Sequence, residues 1–359
     1  MALRKSSDAR PQISEVFPVA AIPGGEFQIR GKGLAGKDPG TERVSVRFGD
    51  AAAPIVIGSD SYVVAKVPEG ASRGEIFFGP ENGAAGWPCH VGVQIVDGVH
   101  PVSNPVIDRE GNIYTTFSGP AGQRTPVSIY RIDTALVSKA LPADIVNATG
   151  LALDQEDVLY ASSRQDGVVY QIAPSGTSSP YVEGMGVATG MVFDADGNLF
   201  VGDRSGTIFK ISRQRQIYVF ATLEPSLAAY HLAFGPDDYL YVTGPTTSSF
   251  DSVVRISRDG HVERFYRGLG RPQGMAFDAE GNLYVAASLG GRRGIVRITP
   301  APEGSEAQAE LFLSGPAIVG LAFSPSNALI LATNNTSPSR GADGALYRVN
   351  VGIEGFPRH

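Results

Sequence analysis

The chain is short of the residues that carry the commonest covalent and metal chemistries. Cys89 is its only cysteine, which excludes an intramolecular disulfide and any multi-cysteine zinc or iron–sulfur site. Trp87 is its only tryptophan, and five histidines are scattered through unlike contexts, so a multi-histidine metal site is not expected. Charged residues make up only 18% of the chain and positive charge is in deficit, giving a formal net charge of −6 and a pI near 5.5. A polyphosphate partner would be repelled by that field, which argues against nucleic acid. No segment reaches the roughly 18 uninterrupted apolar residues of a membrane span. Residues 1–10 read as a flexible, polar N-terminus without a signal-peptide core, which predicts a cytoplasmic protein, or an extracellular or periplasmic one if a leader has been removed. A glycine-flanked serine elbow, a phosphate loop and a dinucleotide fingerprint are likewise lacking in the contexts those motifs need.

What the chain does have is glycine (44) and proline (25), with 42% hydrophobic residues in 359. This is the profile of many short strands joined by tight turns, and the length suits two domains. The prediction is an all-β protein. From residue 11 to 100, short runs such as Val44–Phe48, Tyr62–Val67, Glu75–Phe78 and Val91–Val96 are broken by Gly and Pro, as in a β-sandwich. Apolar and polar residues alternate in Val44-Ser45-Val46-Arg47-Phe48, which places one face on a core and the other in water.

From residue 101 to 359 the chain repeats. Thr149-Gly150-Leu151-Ala152-Leu153-Asp154 aligns with Thr189-Gly190-Met191-Val192-Phe193-Asp194, Tyr230-His231-Leu232-Ala233-Phe234-Gly235, Gln273-Gly274-Met275-Ala276-Phe277-Asp278 and Val319-Gly320-Leu321-Ala322-Phe323-Ser324. A weaker copy, Ser103-Asn104-Pro105-Val106-Ile107-Asp108, precedes them. A turn, a second strand, a third strand such as Ile129–Ile132 or Val169–Ile172, and a variable fourth strand follow in most units. Six four-stranded units at this period predict a six-bladed β-propeller. The short tail after Val349 leaves the closure of the ring open. Asp194-Ala195-Asp196-Gly197-Asn198 has the spacing of a calcium loop but sits where a hairpin turn is needed, and is read as that turn.

The first region resembles the IPT/TIG family, an immunoglobulin-like fold, through Pro11-Gln12-Ile13, Phe17-Pro18, Gly24-Gly25, Gly31-Lys32-Gly33-Leu34, Val46-Arg47-Phe48-Gly49 and Val67-Pro68. That resemblance implies a spacer or interaction module and no catalysis. Trp87 is a candidate sugar platform or simply a packed aromatic. The second region resembles the SMP-30/gluconolactonase family and overlaps with NHL repeats, most clearly in Gln273-Gly274-Met275-Ala276-Phe277-Asp278-Ala279-Glu280-Gly281-Asn282-Leu283-Tyr284-Val285-Ala286.

Equivalent positions form rings around a propeller's axis, so the alignment names a pocket where inner strands begin and second strands end. Its candidate ligand-binding residues are Ser103, Asn104, Thr149, Thr189, Arg204, Gln273, Ser288 and Asn334. In the lactonases the resemblance implies a divalent cation held by a Glu, an Asn and an Asp, and those places fall on Ser103, Tyr230 and Gln273. The carboxylates are missing, so no cofactor is predicted; the alternative is one calcium or zinc ion held in another way. His231 stands where most repeats have Gly. Asp203, His231 and Tyr230 are therefore the candidate catalytic group of a metal-independent enzyme: a base, its orienter and a proton donor. The expected function is binding of a small polar molecule or a protein at the propeller mouth, with a divergent lactonase or that metal-independent enzyme as alternatives.

Overall fold

The computed structural model describes residues 11–34, 45–71, 74–78, 85–248, 250–301, 306–334 and 344–357. Met1–Arg10 and His359, and with them the expected N-terminal tail, lie outside the described residues. Every regular element is a strand, and no helix occurs among the described residues. The chain divides into two compact units, one of residues 1–93 with Phe312–Pro316 and the other of Gln94–Leu311 with Ala317–His359.

The first unit holds two four-stranded antiparallel sheets. One runs Gln12–Phe17, Glu26–Lys32, Tyr62–Lys66, Ile55–Gly58; the other runs Ala51–Ala52, Val46–Phe48, Glu75–Phe78, Ala85–Pro88. The alternation in Val46-Arg47-Phe48 is realised: Val46 and Phe48 are buried with Phe27, Ile29, Val63, Ile76 and Phe78 in one core. Phe27 and Phe48 stack at 5.6 Å. Trp87 is half-buried on the edge strand opposite Ile76. Cys89 lies in the same core, where burial, reinforced by Glu75, pushes its thiol up to about 12, so it is chemically quiet at neutral pH.

The second unit is a ring of six blades: five are four-stranded sheets, and the fifth blade's strands Met275–Phe277, Leu283–Leu289, Arg292–Thr299 and Gln308–Ser314 run consecutively within a six-stranded sheet. Its inner strands are Val106–Ile107, Ala148–Leu153, Ala188–Phe193, His231–Phe234, Met275–Phe277 and Ile318–Phe323, and each touches the next, the first also touching the last. The expected third strands are present, including Ile129–Ile132 and Val169–Ile172. The turn reading of the acidic stretch holds as well: Asp194 accepts from the Asn198 backbone N–H at 2.7 Å and from Asn198 Nδ2 at 2.8 Å, and Gly197 takes a φ of 75°. Side-chain capping of this kind settles a hairpin without a metal.

The joints between blades repeat too. At the end where inner strands begin, side chains and backbone cross from blade to blade: Ser103 Oγ donates to Thr149 O, Ser162 Oγ to Thr189 O, Thr243 Oγ1 to Gln273 O, and the Gly190 and Gly274 N–H groups to Tyr230 O and Val319 O. At the other end an aromatic of one blade's second strand meets an inner-strand Phe of the next. The pairs are Tyr160–Phe193, Phe200–Phe234, Tyr241–Phe277 and Tyr284–Phe323, with centroids 4.8–5.3 Å apart and edge-to-face, a geometry favoured by the ring quadrupole.

The boundary between the two regions differs from expectation, and the difference supplies the ring closure that the sequence left open. Val91–Val96 was expected to end the first region, with the boundary at residues 100 and 101. Instead Val93–Val99 lies against Gly344–Val349 as the outermost strand of blade six, whose other strands are Ile318–Phe323 and Leu329–Thr333. The last repeat supplies only three strands, and an uncovered edge would leave a row of unpaired backbone groups. Val96 and Val99 accordingly share a core with Ile330, Ala332 and Leu346.

Candidate ligand-binding channel

Side chains two apart on an inner strand share a face, so each blade offers the channel two levels. The first reads Asn104, Gly150, Gly190, His231, Gly274, Gly320; the second reads Val106, Ala152, Val192, Ala233, Ala276, Ala322. At the first level the strands meet backbone to backbone. A Cβ on Gly150 would stand 3.1 Å from Gly190 Cα, one on Gly190 3.1 Å from His231 Cα, one on Gly274 2.6 Å from Gly320 Cα, and one on Gly320 2.7 Å from Asn104 Cα. Glycine is required because nothing larger fits a contact this close.

The two positions that keep a side chain, in blades one and four, stand opposite each other in a six-fold ring. Asn104 Nδ2 donates to Met275 O at 2.8 Å, and its Oδ1 accepts from Leu321 N–H at 3.1 Å. His231 is only 3% exposed. Burial drives its pKa down to about 4, so the ring is neutral at physiological pH. The channel is thus pinched at this level.

Beyond the constriction the channel opens into a cavity of about 540 Å³. Val106, Ala152, Val192, Ala233, Ala276 and Ala322 wall it, with Phe193, Phe234, Phe277 and Phe323 further out; polar groups, including Arg109, Ser324 and Glu354, come near its rim. The C-terminal segment crosses that rim. Gly352 N–H donates to Asn327 O at 3.0 Å, Ala279 N–H to Glu354 O at 2.9 Å, and Phe356 N–H to Phe277 O at 2.9 Å. A polar pocket was expected at the mouth where inner strands begin; this cavity, with more apolar than polar lining, lies at the end where inner strands finish. The reason is the repeat itself, which puts Ala or Val two residues after the glycine.

Of the residues singled out from the sequence, Asn104 and His231 belong to the constriction itself; the others precede it along their strands or follow the second strands, and many are engaged in holding strands together. Ser103 donates to Thr149 O at 2.5 Å, Thr149 to Asn147 O at 2.9 Å, and Thr189 to Gly202 O at 2.7 Å while accepting from Tyr230 N–H. Tyr230 donates its hydroxyl to Glu224 O; burial, then the charges of Glu224 and Asp203, raise its pKa to about 12. Asp203 accepts from Val187 N–H, Ser205 N–H and Ser205 Oγ at 2.9–3.1 Å, capping its own turn. No hydrogen bond joins Asp203 to His231. Gln273 is half-buried, its backbone tied to Ala286 and Thr243. Ser288 donates to Gly270 O at 3.3 Å, and Asn334 Nδ2 lies 3.3 Å from His100 Nε2.

Ser103, Tyr230 and Gln273 are neutral, and the hydroxyls of the first two already point at backbone carbonyls, so these side chains do not fit the hard divalent cation of the lactonases. Among the described residues no three His, Cys, Asp or Glu side chains gather closely enough to hold a metal ion. Arg264, Arg267, Arg271, Arg292 and Arg293 are all exposed. One residue escaped the sequence reading: Arg164 follows Ser163 as Arg204 follows Asp203, so the repeat alignment carried the signal.

No protein-family model matches the chain, and no curated protein matches its sequence. Solved structures do resemble it. One described as a putative gluconolactonase is 14% identical over 75% of this chain and 94% of its own, with a TM-score of 0.57. A protein of unknown function from Bacteroides thetaiotaomicron is 13% identical, covers 96% of this chain and 99% of its own, and has a TM-score of 0.55. An auxiliary nutrient binding protein from the same organism is 11% identical over 95% and 98%, with a TM-score of 0.51. At these identities the likeness is one of fold, a β-propeller.

Proposed function

We propose that this is a binding protein whose propeller takes a small, largely apolar molecule into the central cavity. The observation that carries this reading is the cavity: about 540 Å³, within the roughly 300–1,000 Å³ of small-molecule sites, with apolar walls and a few polar groups near the rim. The first unit, read as an IPT/TIG-like sandwich of immunoglobulin type, serves as a spacer. The nutrient-binding description of a protein alike over nearly its whole length supports the same reading. The alternative, a divergent lactonase, draws on the likeness to a putative gluconolactonase and predicts lactone hydrolysis abolished by a chelator.

The test is titration of the full chain with the neutral fluorescent probe 1-N-phenylnaphthylamine. Saturable binding of one probe per chain is expected. Ala276→Phe and Ala233→Leu, each filling the cavity from its wall, should weaken it at least tenfold, about 1.4 kcal/mol. No saturable binding, or equal binding by both variants, would overturn the reading.

A further inference from the structure

At the mouth opposite the apolar cavity, the repeat alignment sets Ser118, Arg164, Arg204, Pro245, Ser288 and Asn334 at equivalent positions; Arg164, Arg204 and Asn334 directly follow their second strands, Leu159–Ser163, Leu199–Asp203 and Leu329–Thr333. Two neighbouring members are arginines, and they leave the backbone in the same way. Arg164 N–H donates to Asn147 O and Arg204 N–H to Val187 O, equivalent bonds to the residue just before or at the start of the inner strand. Their side chains therefore rise from matching points on adjacent blades.

Each guanidinium is steadied by one carbonyl and by no carboxylate. Arg164 Nη2 donates to Gly119 O at 3.1 Å, and Arg204 Nε lies 3.5 Å from Ser226 O. Neither arginine forms an ion pair among the described residues. The nearest acid in sequence, Asp203, spends its oxygens on its own turn. Arg164 is half-buried and feels the cost: desolvation first, then the charge of Arg204, lowers its pKa. A chain with net charge −6 has acids to spare, yet among the described residues neither cation has a carboxylate within ion-pair distance.

A second observation points the same way. Ser118 is 1% exposed, and its Oγ has no hydrogen-bond partner among the described residues. It adjoins Gly119, whose carbonyl holds Arg164. A buried hydroxyl without a partner is destabilising, and a ligand oxygen would relieve it. Asn334 Oδ1, in the same ring, is also buried and unpartnered.

We propose that Arg164 and Arg204 flank a binding site for an oxyanion-bearing ligand, with Ser118 as an additional donor. Two guanidiniums on a rigid ring are preorganised for carboxylate or for a phosphate or sulfate group. The site is separate from the apolar cavity and does not depend on it.

The test uses the full chain at constant ionic strength, exchanging sodium chloride for inorganic phosphate, sulfate or succinate, and reads thermal melting and calorimetric titration. A saturable rise in melting temperature is expected. Arg164→Gln and Arg204→Gln should each weaken binding at least tenfold, while Arg267→Gln on the exposed outer strand of blade four leaves it unchanged. Response to phosphate or sulfate alone upholds the site and assigns a tetrahedral anion; response to succinate alone upholds it and assigns a carboxylate. No response to any of the three anions, or a response that both arginine variants keep, overturns the proposal. Binding of 1-N-phenylnaphthylamine should be the same in the arginine variants, which separates failure of this site from failure of the cavity.

Discussion

The two ends of the propeller channel are built by the same six inner strands and have opposite chemistry. Where the strands begin, Ser103, Ser162 and Thr243 reach across to the next blade's carbonyls. Where they finish, Tyr160, Phe200, Tyr241 and Tyr284 pack edge-to-face on the next blade's Phe. At the first end polar side chains are the mortar, so being polar there does not mark a residue as ligand-facing; what remains over is the arginine pair. At the second end aromatic mortar frees the small Ala and Val side chains to wall a cavity. The glycine level between them keeps the two chemistries apart.

The comparison is broken most severely at that level. Gly274→Ala would set a methyl group 2.6 Å from Gly320 Cα, a backbone contact that no rotamer change relieves. Overpacking of this kind costs about 3 kcal/mol or more. Denaturant unfolding should show it; a loss of only about 1 kcal/mol would mean that the strands separate easily and that the channel is not firmly pinched.

Protonation of His231 tests the same level by other means. Its folded pKa, about 4, lies below the ordinary value of 6.5. The neutral ring's contribution is therefore complete above pH 6.5 and lost as the pH falls through 4, because the unfolded chain takes up the proton first. The shift corresponds to roughly 3 kcal/mol. Wild type should lose about that much more stability than His231→Leu between pH 7 and pH 4, whatever the variant's stability at pH 7. Equal losses would show that water reaches the ring.

Much of this was legible before the fold was known, and the failures have physical causes. The third strands and the Asp194–Asn198 turn follow from periodicity, since each copy of a repeat must solve the same local problem. Val93–Val99 was misplaced because it belongs to no repeat: a strand recruited to cover an edge carries no periodic signature. The alignment names equivalent positions from blade to blade, but it cannot say that the hydroxyls of Ser103 and Thr189 are taken by backbone carbonyls. Nor does an alternating Gly and Ala pattern announce which end of a channel is wide. Arg164 was visible in the alignment and overlooked, because a pair of like charges is noticed only when two blades are brought side by side.

The smallest effect concerns the segment that crosses the cavity rim. Phe356 is half-buried against the core around Tyr241, Phe277 and Leu283, and its N–H is bonded to Phe277 O. Phe356→Ala keeps the backbone bond and removes part of an aromatic side chain's burial, which at about 25 cal/mol per Å² amounts to about 1 kcal/mol. Melting should therefore change little. Exchange of 1-N-phenylnaphthylamine should change more, since the ring borders the opening: stopped-flow dissociation should quicken several-fold, with equilibrium affinity falling by less. An unchanged dissociation rate would mean that the probe leaves without displacing the tail, and that Phe356 secures the chain terminus without guarding the apolar end of the channel.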